Sequence, residues 1–219
     1  MSMTLLGAGP LGSAIERAFR AGGVELRTWV PPNDGADDVD GAEVVQVASV
    51  AEAVAGAQTV LVVLEQSMMR ELLDGLDLTG TTIVNYGSGT SADAVAARNL
   101  VVAAGGRYVD AVVSAEPGEI GLRDTTIYYA GDYEAYGLLS GSLGLLSRHK
   151  PFLGLRVGNA RALEAAWVGA FESAAVDAFR TAASVAVEEG VAPAAVIDSI
   201  DHHLTRLRAV LLKSVRPPD

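Results

Sequence analysis

Glu164 is the only carboxylate in the run GNARALEAAWVGAF, residues 158–171, which is otherwise mostly small and apolar. Glutamate seldom lies unpaired in such surroundings, and burial raises the pKa of a carboxyl group so that it can donate a proton near neutral pH. The residues leave two alternatives open. Glu164 lies in a pocket for chemistry, or it faces solvent or pairs with Arg161 or Arg156.

A second candidate for chemistry is the glycine-rich turn in LLGAGPLGSAI, with Gly7, Gly9 and Gly12 in a G-x-G-x-x-G pattern. A predicted strand at 3–6 precedes the turn and a predicted helix at 10–23 follows it, which is the context that a dinucleotide-binding turn requires. Gly7 permits the tight turn, Gly9 lets backbone approach a pyrophosphate, and Gly12 lets the helix press on the strand. The positive end of the helix dipole favours a bound phosphate.

The end of the second predicted strand fits neither usual nucleotide preference. An NAD site expects an acid there and an NADP site expects a base. Val30, Pro31 and Pro32 occupy this place, with Arg27 the nearest base and Asp34 the nearest acid. These residues alone leave the choice of cofactor open, and they also leave open weak or lost cofactor binding.

Strand-like and helical segments alternate along the first two thirds of the chain, and this order predicts the elements that position both features. It is typical of an α/β fold with a Rossmann-type, doubly wound, mostly parallel sheet. From Asn159 the pattern is all helical, with one long helix to about Glu189 and another over 192–215. We therefore expect a dinucleotide-binding domain at 1–157 and an all-helical region at 158–219.

Composition limits the classes of partner. The chain has 219 residues, a formal net charge of −11 and a pI of about 4.7, so we expect no nucleic-acid partner. It has no cysteine, and its three histidines form no spacing expected of metal ligands, so we expect no metal site. Without an apolar run of ~20 residues or a basic leader, we expect no membrane partner and a cytoplasmic protein. The apolar long helix predicts a homodimer, because one chain cannot cover both of its faces.

Four segments in succession carry a resemblance to a known family: GAGPLGSAIERAFRAGGVELRTW, TTIVNYGSGTSADAVAA, GRYVDAVVSAEPGEIGLRDTTIYYAGD and FLGLRVGNARALEAAWVG. Over about residues 3–190 the chain resembles the imine reductases of the β-hydroxyacid dehydrogenase superfamily, which have a 6-phosphogluconate dehydrogenase-like Rossmann domain. The resemblance implies NADP as cofactor, with NAD as an alternative. It also implies a small-molecule substrate and a homodimer with shared active sites. For residues 158–219 it implies a long interdomain helix and a short, reduced all-α dimerisation region.

The resemblance also implies roles for individual residues. The pyrophosphate would be held by Gly7, Gly9, Pro10, Leu11 and Gly12. The ribose and nicotinamide would be flanked by Leu64, Glu65, Ser88 and Thr90, and the substrate by Ser114 and Ala115. Trp167 is a candidate for the pocket wall, with packing between helices as the alternative.

Glu164 falls where β-hydroxyacid dehydrogenases place a catalytic lysine and many imine reductases place an aspartate. A carboxylate favours a cationic iminium, whereas a lysine stabilises the negative charge that develops on a ketone oxygen. The predicted function is an NAD(P)H-dependent reductase that transfers hydride to a C=N substrate, with Glu164 as catalytic proton donor or iminium stabiliser. A β-hydroxyacid dehydrogenase-like oxidoreductase acting on a C–OH/C=O pair and a non-catalytic relative with weakened cofactor binding are the alternatives.

Two departures from the family pattern bear on these expectations. The family usually carries an Asn-Arg-Thr-like segment after the second strand, where this chain has Val30, Pro31 and Pro32. The family is also longer at the C-terminus. Either the helical domain is reduced here or part of it is absent from this sequence.

Overall fold

A computed structural model describes residues 2–7, 9–31, 45–46 and 49–215 of the chain. It has two compact units, Met1–Ala165 and Ala166–Asp219. Pro32 and Asp34, which bear on nucleotide preference, lie outside the described residues. The expected domain boundary at 157/158 stays a prediction.

The first unit is built on a seven-stranded sheet in the order β3-β2-β1-β4-β5-β6-β7. The strands are β1 (Met3–Leu6), β2 (Arg27–Trp29), β3 (Val45–Gln46), β4 (Thr59–Val62), β5 (Thr82–Asn85), β6 (Arg107–Ser114) and β7 (Thr126–Gly131). All pairs are parallel except β6 with β7, which is antiparallel. The predicted Rossmann-type α/β fold is thus confirmed. The strand order reverses between β1 and β4, and ligands of such sheets bind beyond the carboxyl ends of the strands at that point.

Helices cover both faces of the sheet. They are α1 (Gly9–Ala21), α2 (Val50–Val54), α3 (Gln66–Leu73), α4 (Ser91–Ala103), α5 (Tyr133–Leu143) and α6 (Asn159–Glu164), with a short 3-10 turn at Pro117–Glu119. Side chains from α2, α3 and α4 build the core on one face, and those from α1 and α5 build the core on the other. The strands supply both cores because successive side chains point to opposite faces. In β4, Val60 and Val62 belong to the first core and Leu61 to the second.

The C-terminal unit is helical in its described residues except for a turn at 189–192. A π-helical stretch, Ala165–Glu172, precedes α7 (Ser173–Glu188), and α8 (Pro193–Val215) follows after a turn. The all-helical region expected from Asn159 onward is confirmed, although the sequence pattern gives no sign of the π-helical stretch. Both α7 and α8 leave large apolar side chains exposed, among them Val185, Ile197 and Leu204. Among the described helices, none combines the length and apolar character needed to cross a bilayer.

Candidate active site

A cleft of about 360 Å³ opens in the first unit where the parallel strands end. Three strand ends and two helices form its walls. Leu11 comes from the start of α1, residues 63–65 and 86–89 follow β4 and β5, residues 111–113 belong to β6, and Arg161 and Glu164 project from α6. The carboxyl ends of β4, β5 and β6 therefore meet the glycine-rich turn and the predicted acid at one place, as the topology of open α/β sheets requires.

The glycine-rich turn has the close packing that a side chain would disturb. Gly7 has a φ of +107°, and a Cβ built on it would lie 2.8 Å from Val63 Cγ2. A Cβ on Gly12 would lie 3.1 Å from the carbonyl oxygen of Gly7, so the first turn of α1 sits directly against the end of β1. Pro10 lies in this first turn, where its missing N–H costs the helix no hydrogen bond.

Gly9 differs from the other two glycines because open space surrounds it. It begins α1 with a φ of +72°, and a Cβ built there would meet nothing within 4 Å. The first turn of α1 also carries no acidic side chain. A helix N-terminus with bare backbone and free space beside it fits the pyrophosphate of a dinucleotide, since both the N–H groups and the dipole favour an anion.

The loops after β4 and β5 approach each other more closely than side chains permit. A Cβ on Gly87 would lie 2.0 Å from the carbonyl oxygen of Leu64. The buried amide of Asn85 accepts a hydrogen bond from the N–H of Gly87 at 2.9 Å and donates one to the hydroxyl of Tyr108, also at 2.9 Å. Asn85 and Gly87 thereby fix the floor of the cleft. Neither was given a role from the sequence, although both lie in the segment TTIVNYGSGTSADAVAA that carries the family resemblance.

The four residues expected along the ribose and nicotinamide lie on these two loops, but they differ in exposure. Leu64 and Glu65 follow β4 and line the cleft, with Leu64 buried and Glu65 exposed. Ser88 also lines the cleft and is exposed. Thr90 is the N-cap of α4, where its hydroxyl accepts from the N–H of Asp93 and the carboxylate of Asp93 accepts from the N–H of Thr90.

Glu164 is half-buried at the end of α6 and lines the cleft together with Leu11 and Ser88. Removal from water raises the pKa of its carboxyl group above the ordinary value. Two charged neighbours act in opposite directions, since Arg161 lowers this pKa and Asp110 raises it. A carboxyl group of this kind can exchange a proton with a ligand in the cleft.

Arg161 does not form a salt bridge with Glu164 but pairs with Asp110 in the middle of β6. Its Nε donates to Asp110 Oδ1 at 3.0 Å, and its Nη2 lies 2.9 Å from the same oxygen. The two side chains are 4% and 0% exposed. Burial raises the pKa of Asp110, and the guanidinium of Arg161 opposes that change. Asp110 inside the predicted strand RYVDAVVS could have indicated such a pair, because a buried carboxylate needs a partner.

Two of the three residues expected near the substrate, Ser114 and Ala115, come directly after the part of β6 that lines the cleft. The lining along β6 extends to Val113, whereas Ser114 and Ala115 come next in the chain and are half-buried. Trp167 belongs to the C-terminal unit, where it is 43% exposed and contacts Phe171 in an edge-to-face arrangement at 5.0 Å. The roles expected for these three residues stay predictions.

Tyr86 is a lining residue that the sequence interpretation missed. It follows β5 directly, is buried, and shares a hydrogen bond of 3.1 Å with the hydroxyl of Tyr129 on β7. Burial raises the pKa of both phenols, so both stay neutral at physiological pH. Tyr86 therefore adds no charge to the lining of the cleft.

A doubly wound parallel sheet with a glycine-rich turn at its switch point defines a dinucleotide-binding oxidoreductase domain. The model of the NAD binding domain of 6-phosphogluconate dehydrogenase matches residues 2–154, and the chain belongs to this family. No curated protein matches the sequence significantly.

Solved structures show the same fold over almost the whole chain. An imine reductase from Pseudomonas sp. matches 97% of this chain and 75% of its own, with a TM-score of 0.83 and 25% identity. An imine reductase from Aspergillus terreus in complex with NADPH4 and dibenz[c,e]azepine matches 96% and 74%, with a TM-score of 0.86 and 23% identity. An imine reductase from Myxococcus stipitatus in complex with NADP+ matches 97% and 75%, with a TM-score of 0.80 and 22% identity. The fold is therefore that of the imine reductases.

Proposed function

We propose that this protein is an NAD(P)H-dependent reductase that transfers hydride to the carbon of a C=N bond in a small molecule. The observation that carries the proposal is the position of Glu164, a half-buried carboxyl group in the cleft that also contains the start of α1 and the loops after β4 and β5. The sequence resemblance to imine reductases and the fold shared with them support the same reaction.

The negative charge of an ionised Glu164 favours reduction of a C=N bond over reduction of a C=O bond. Reduction of a ketone builds negative charge on oxygen, which a carboxylate disfavours. A protonated imine carries positive charge, and a carboxylate ~4 Å away stabilises it by ~4 kcal/mol at an effective dielectric constant of about 20, before desolvation is subtracted. The paired Arg161 and Asp110 cancel each other's formal charge, so Glu164 and the exposed Glu65 leave the lining of the cleft net negative.

The cofactor is a nicotinamide dinucleotide, held at the pyrophosphate by the backbone around Gly9 and at the ribose and nicotinamide by the loops that carry Glu65 and Ser88. NADP is the first candidate because the Aspergillus terreus and Myxococcus stipitatus structures contain NADPH4 and NADP+, and NAD remains the alternative. When bound, the reduced nicotinamide supplies the hydride and is left oxidised. Glu164 holds the proton that ends on the substrate nitrogen, or stabilises the iminium once that proton is in place.

The proposal is tested with the Glu164→Gln variant, a cyclic imine and NADPH. Loss of a general acid or of charge stabilisation is expected to lower kcat by ~10²–10⁴-fold. The Kd for NADPH, read from tryptophan fluorescence, is expected to change little. Glu71→Gln is the matched control, because Glu71 is exposed on α3 and lies outside the lining of the cleft. Wild-type activity in Glu164→Gln would remove this residue from the mechanism, and turnover of small hydroxy acids without turnover of imines would favour the dehydrogenase alternative.

The protein is further proposed to form a homodimer through the C-terminal unit. An apolar groove of about 490 Å³ between α7 and α8 is lined by Phe179, Ala183, Ile200 and Leu204 among others, and Phe179 is 45% exposed. Apolar surface of this kind on two adjacent helices is typical of a face that a second copy covers. Phe179→Glu is expected to shift the mass seen by light scattering toward the monomer. Leu138→Glu, at an apolar residue 76% exposed on α5, is expected to leave it unchanged.

A further inference from the structure

We infer that Arg161 is a positioning residue of the proposed reductase. Its guanidinium links α6, which carries Glu164, to β6 and to the loop after β5. Its ion pair with Asp110 places one positive and one negative charge near Glu164. The inference rests on the proposed function only for its kinetic consequences. The contacts that carry it belong to the first unit alone.

One side chain connects three walls of the cleft. Arg161 projects from α6, its Nε donates to Asp110 on β6 at 3.0 Å, and its Nη1 donates to the carbonyl oxygen of Gly89 at 3.2 Å. Gly89 follows Ser88 in the loop after β5. The guanidinium thus joins the helix that carries Glu164 to the strand and to the loop on which cofactor contacts are proposed. The planar fork of arginine presents separate N–H groups at fixed positions to these two acceptors, whereas lysine has a single nitrogen to place between them.

The N-terminus of α6 is fixed independently of this side chain. Gly158 precedes the helix with a φ of +91°, its carbonyl oxygen accepts a hydrogen bond from Ser91 Oγ at 3.0 Å, and a Cβ there would lie 3.0 Å from Ser91 Cβ. Ala160 is fully buried and packs with Val112 and Ala130. These contacts hold the start of α6 on the sheet. Arg161 adds a second link, from α6 to the loop after β5 at Gly89.

The charges around Glu164 come from several elements. Arg161 lies one turn earlier on α6, Asp110 faces it from β6, Glu65 lines the same cleft from the start of α3, and Tyr86 lines it from the end of β5 as a neutral phenol. Asp93, on α4, also interacts with Arg161. Within this set Arg161 is the only cation among the described lining residues, so its loss removes the one attraction that favours the ionised form of Glu164.

Removal of Arg161 and removal of Asp110 are therefore expected to shift the pKa of Glu164 in opposite directions. Arg161→Met removes the cation and leaves Asp110, so the pKa of Glu164 is expected to rise. Asp110→Asn removes the anion and leaves Arg161, so the pKa of Glu164 is expected to fall. Both shifts are expected to be measurable, because a shift of one pH unit corresponds to only ~1.4 kcal/mol of interaction between charges. Loss of packing without a change in the neighbouring charges would not shift the two titrations in opposite directions.

The experiment combines a titration with steady-state kinetics. Carbon-13 NMR of protein labelled at glutamate side-chain carboxyl groups follows the titration of Glu164, whose resonance is identified by its loss in Glu164→Gln. The titration is recorded for wild type, Arg161→Met, Asp110→Asn and the double variant, whose midpoint is expected between those of the single variants. The pH profile of kcat with a cyclic imine is recorded alongside. Arg161→Lys keeps the charge but not the fork, so its titration is expected to match wild type while kcat falls ~10-fold or more through misplacement of Glu164.

Opposite shifts in Arg161→Met and Asp110→Asn, with a slow Arg161→Lys variant, support the inference. Shifts of the same sign, no shift in either variant, or wild-type kcat in Arg161→Lys overturn it. Should Arg161→Met fail to fold, Asp110→Asn and Arg161→Lys still decide the outcome. Absence of imine reduction by the wild-type protein would contradict the proposed function, whereas the NMR titrations would still test the charge balance.

Discussion

Gly12 and Gly7 pack backbone against backbone, so that a Cβ on Gly12 would lie 3.1 Å from the carbonyl oxygen of Gly7 and 3.2 Å from Val63 Cγ2. Gly12→Ala is therefore expected to push α1 away from the end of β1, at a cost of ~1–3 kcal/mol in stability. The displaced helix N-terminus is expected to bind NADPH more weakly. Calorimetric titration and thermal unfolding measure the two effects.

A control for Gly12 is available on another helix of the same unit. Gly137 lies inside α5, and a Cβ there would meet nothing within 4 Å. Gly137→Ala is expected to stabilise the protein by ~0.5–1 kcal/mol, because alanine favours the helix interior. Its NADPH affinity should equal that of the wild type, and equal melting temperatures for the two variants would contradict the packing argument.

Substitution at Gly9 can separate an effect on cofactor binding from an effect on stability. A Cβ on Gly9 has free space but a φ of +72°, and Gly75, after α3 and outside the lining of the cleft, has free space and a φ of +73°. Replacing either by alanine costs ~1–2 kcal/mol in stability, because both backbones are left-handed. Only at Gly9 would the methyl group occupy the space proposed for the pyrophosphate.

Gly9→Ala is accordingly expected to lose NADPH affinity by ~10-fold or more, which corresponds to ~1.4 kcal/mol, while Gly75→Ala binds like the wild type. The two variants are expected to have equal melting temperatures but different Kd values for NADPH. Tight NADPH binding by Gly9→Ala would place the pyrophosphate elsewhere.

The glycine-rich turn and the alternation of strands and helices could be predicted because both depend on local sequence. The spacing of Gly7, Gly9 and Gly12 over six residues is enough to indicate the turn. Buried strands and helices differ in the spacing of their apolar residues. The placement of Glu164 in the cleft was a hypothesis drawn from family register, and its chemical role stays a prediction. Local pattern alone leaves it equally consistent with a solvated helix face.

Contacts between distant residues could not be predicted in the same way. Asp110 and Arg161 lie 51 positions apart, and each residue alone shows only an unexplained charge in an apolar element. Gly87 is required by its approach to Leu64, which depends on how β4 and β5 end side by side. The antiparallel direction of β7 is likewise set by pairing with β6 rather than by its own sequence.

Glu164 is expected to reduce the stability of the folded protein at neutral pH. Burial raises the pKa of its carboxyl group above the unfolded value of about 4.3. The folded state then binds the proton more tightly than the unfolded state does. The stability that comes from this tighter binding is fully present below the unfolded pKa and is lost as pH rises through the folded pKa. Glu164→Gln, which is neutral throughout, should therefore melt above wild type at pH 7, with the difference vanishing near pH 4.

Thermal unfolding of both proteins across this pH range measures the effect. The same substitution at the exposed Glu71 should leave the melting temperature unchanged across the series. A Glu164→Gln variant that melts below wild type at neutral pH would mean that the ionised carboxylate is stabilised by its surroundings, contrary to the direction given by burial.

The two roles proposed for Glu164 can be separated by the substrate. A cyclic imine needs a proton before or during hydride transfer, whereas its N-methyl iminium salt carries a permanent positive charge and needs none. If Glu164 donates the proton, Glu164→Gln should lower kcat by ~10²–10⁴-fold with the imine and by less than ~10-fold with the iminium salt. Wild-type kcat with the imine should then fall as pH rises past the raised pKa of Glu164, and the iminium salt should show no such limb. Equal losses with both substrates would instead assign Glu164 to charge stabilisation, because the carboxylate then acts on the cation whatever the origin of its charge.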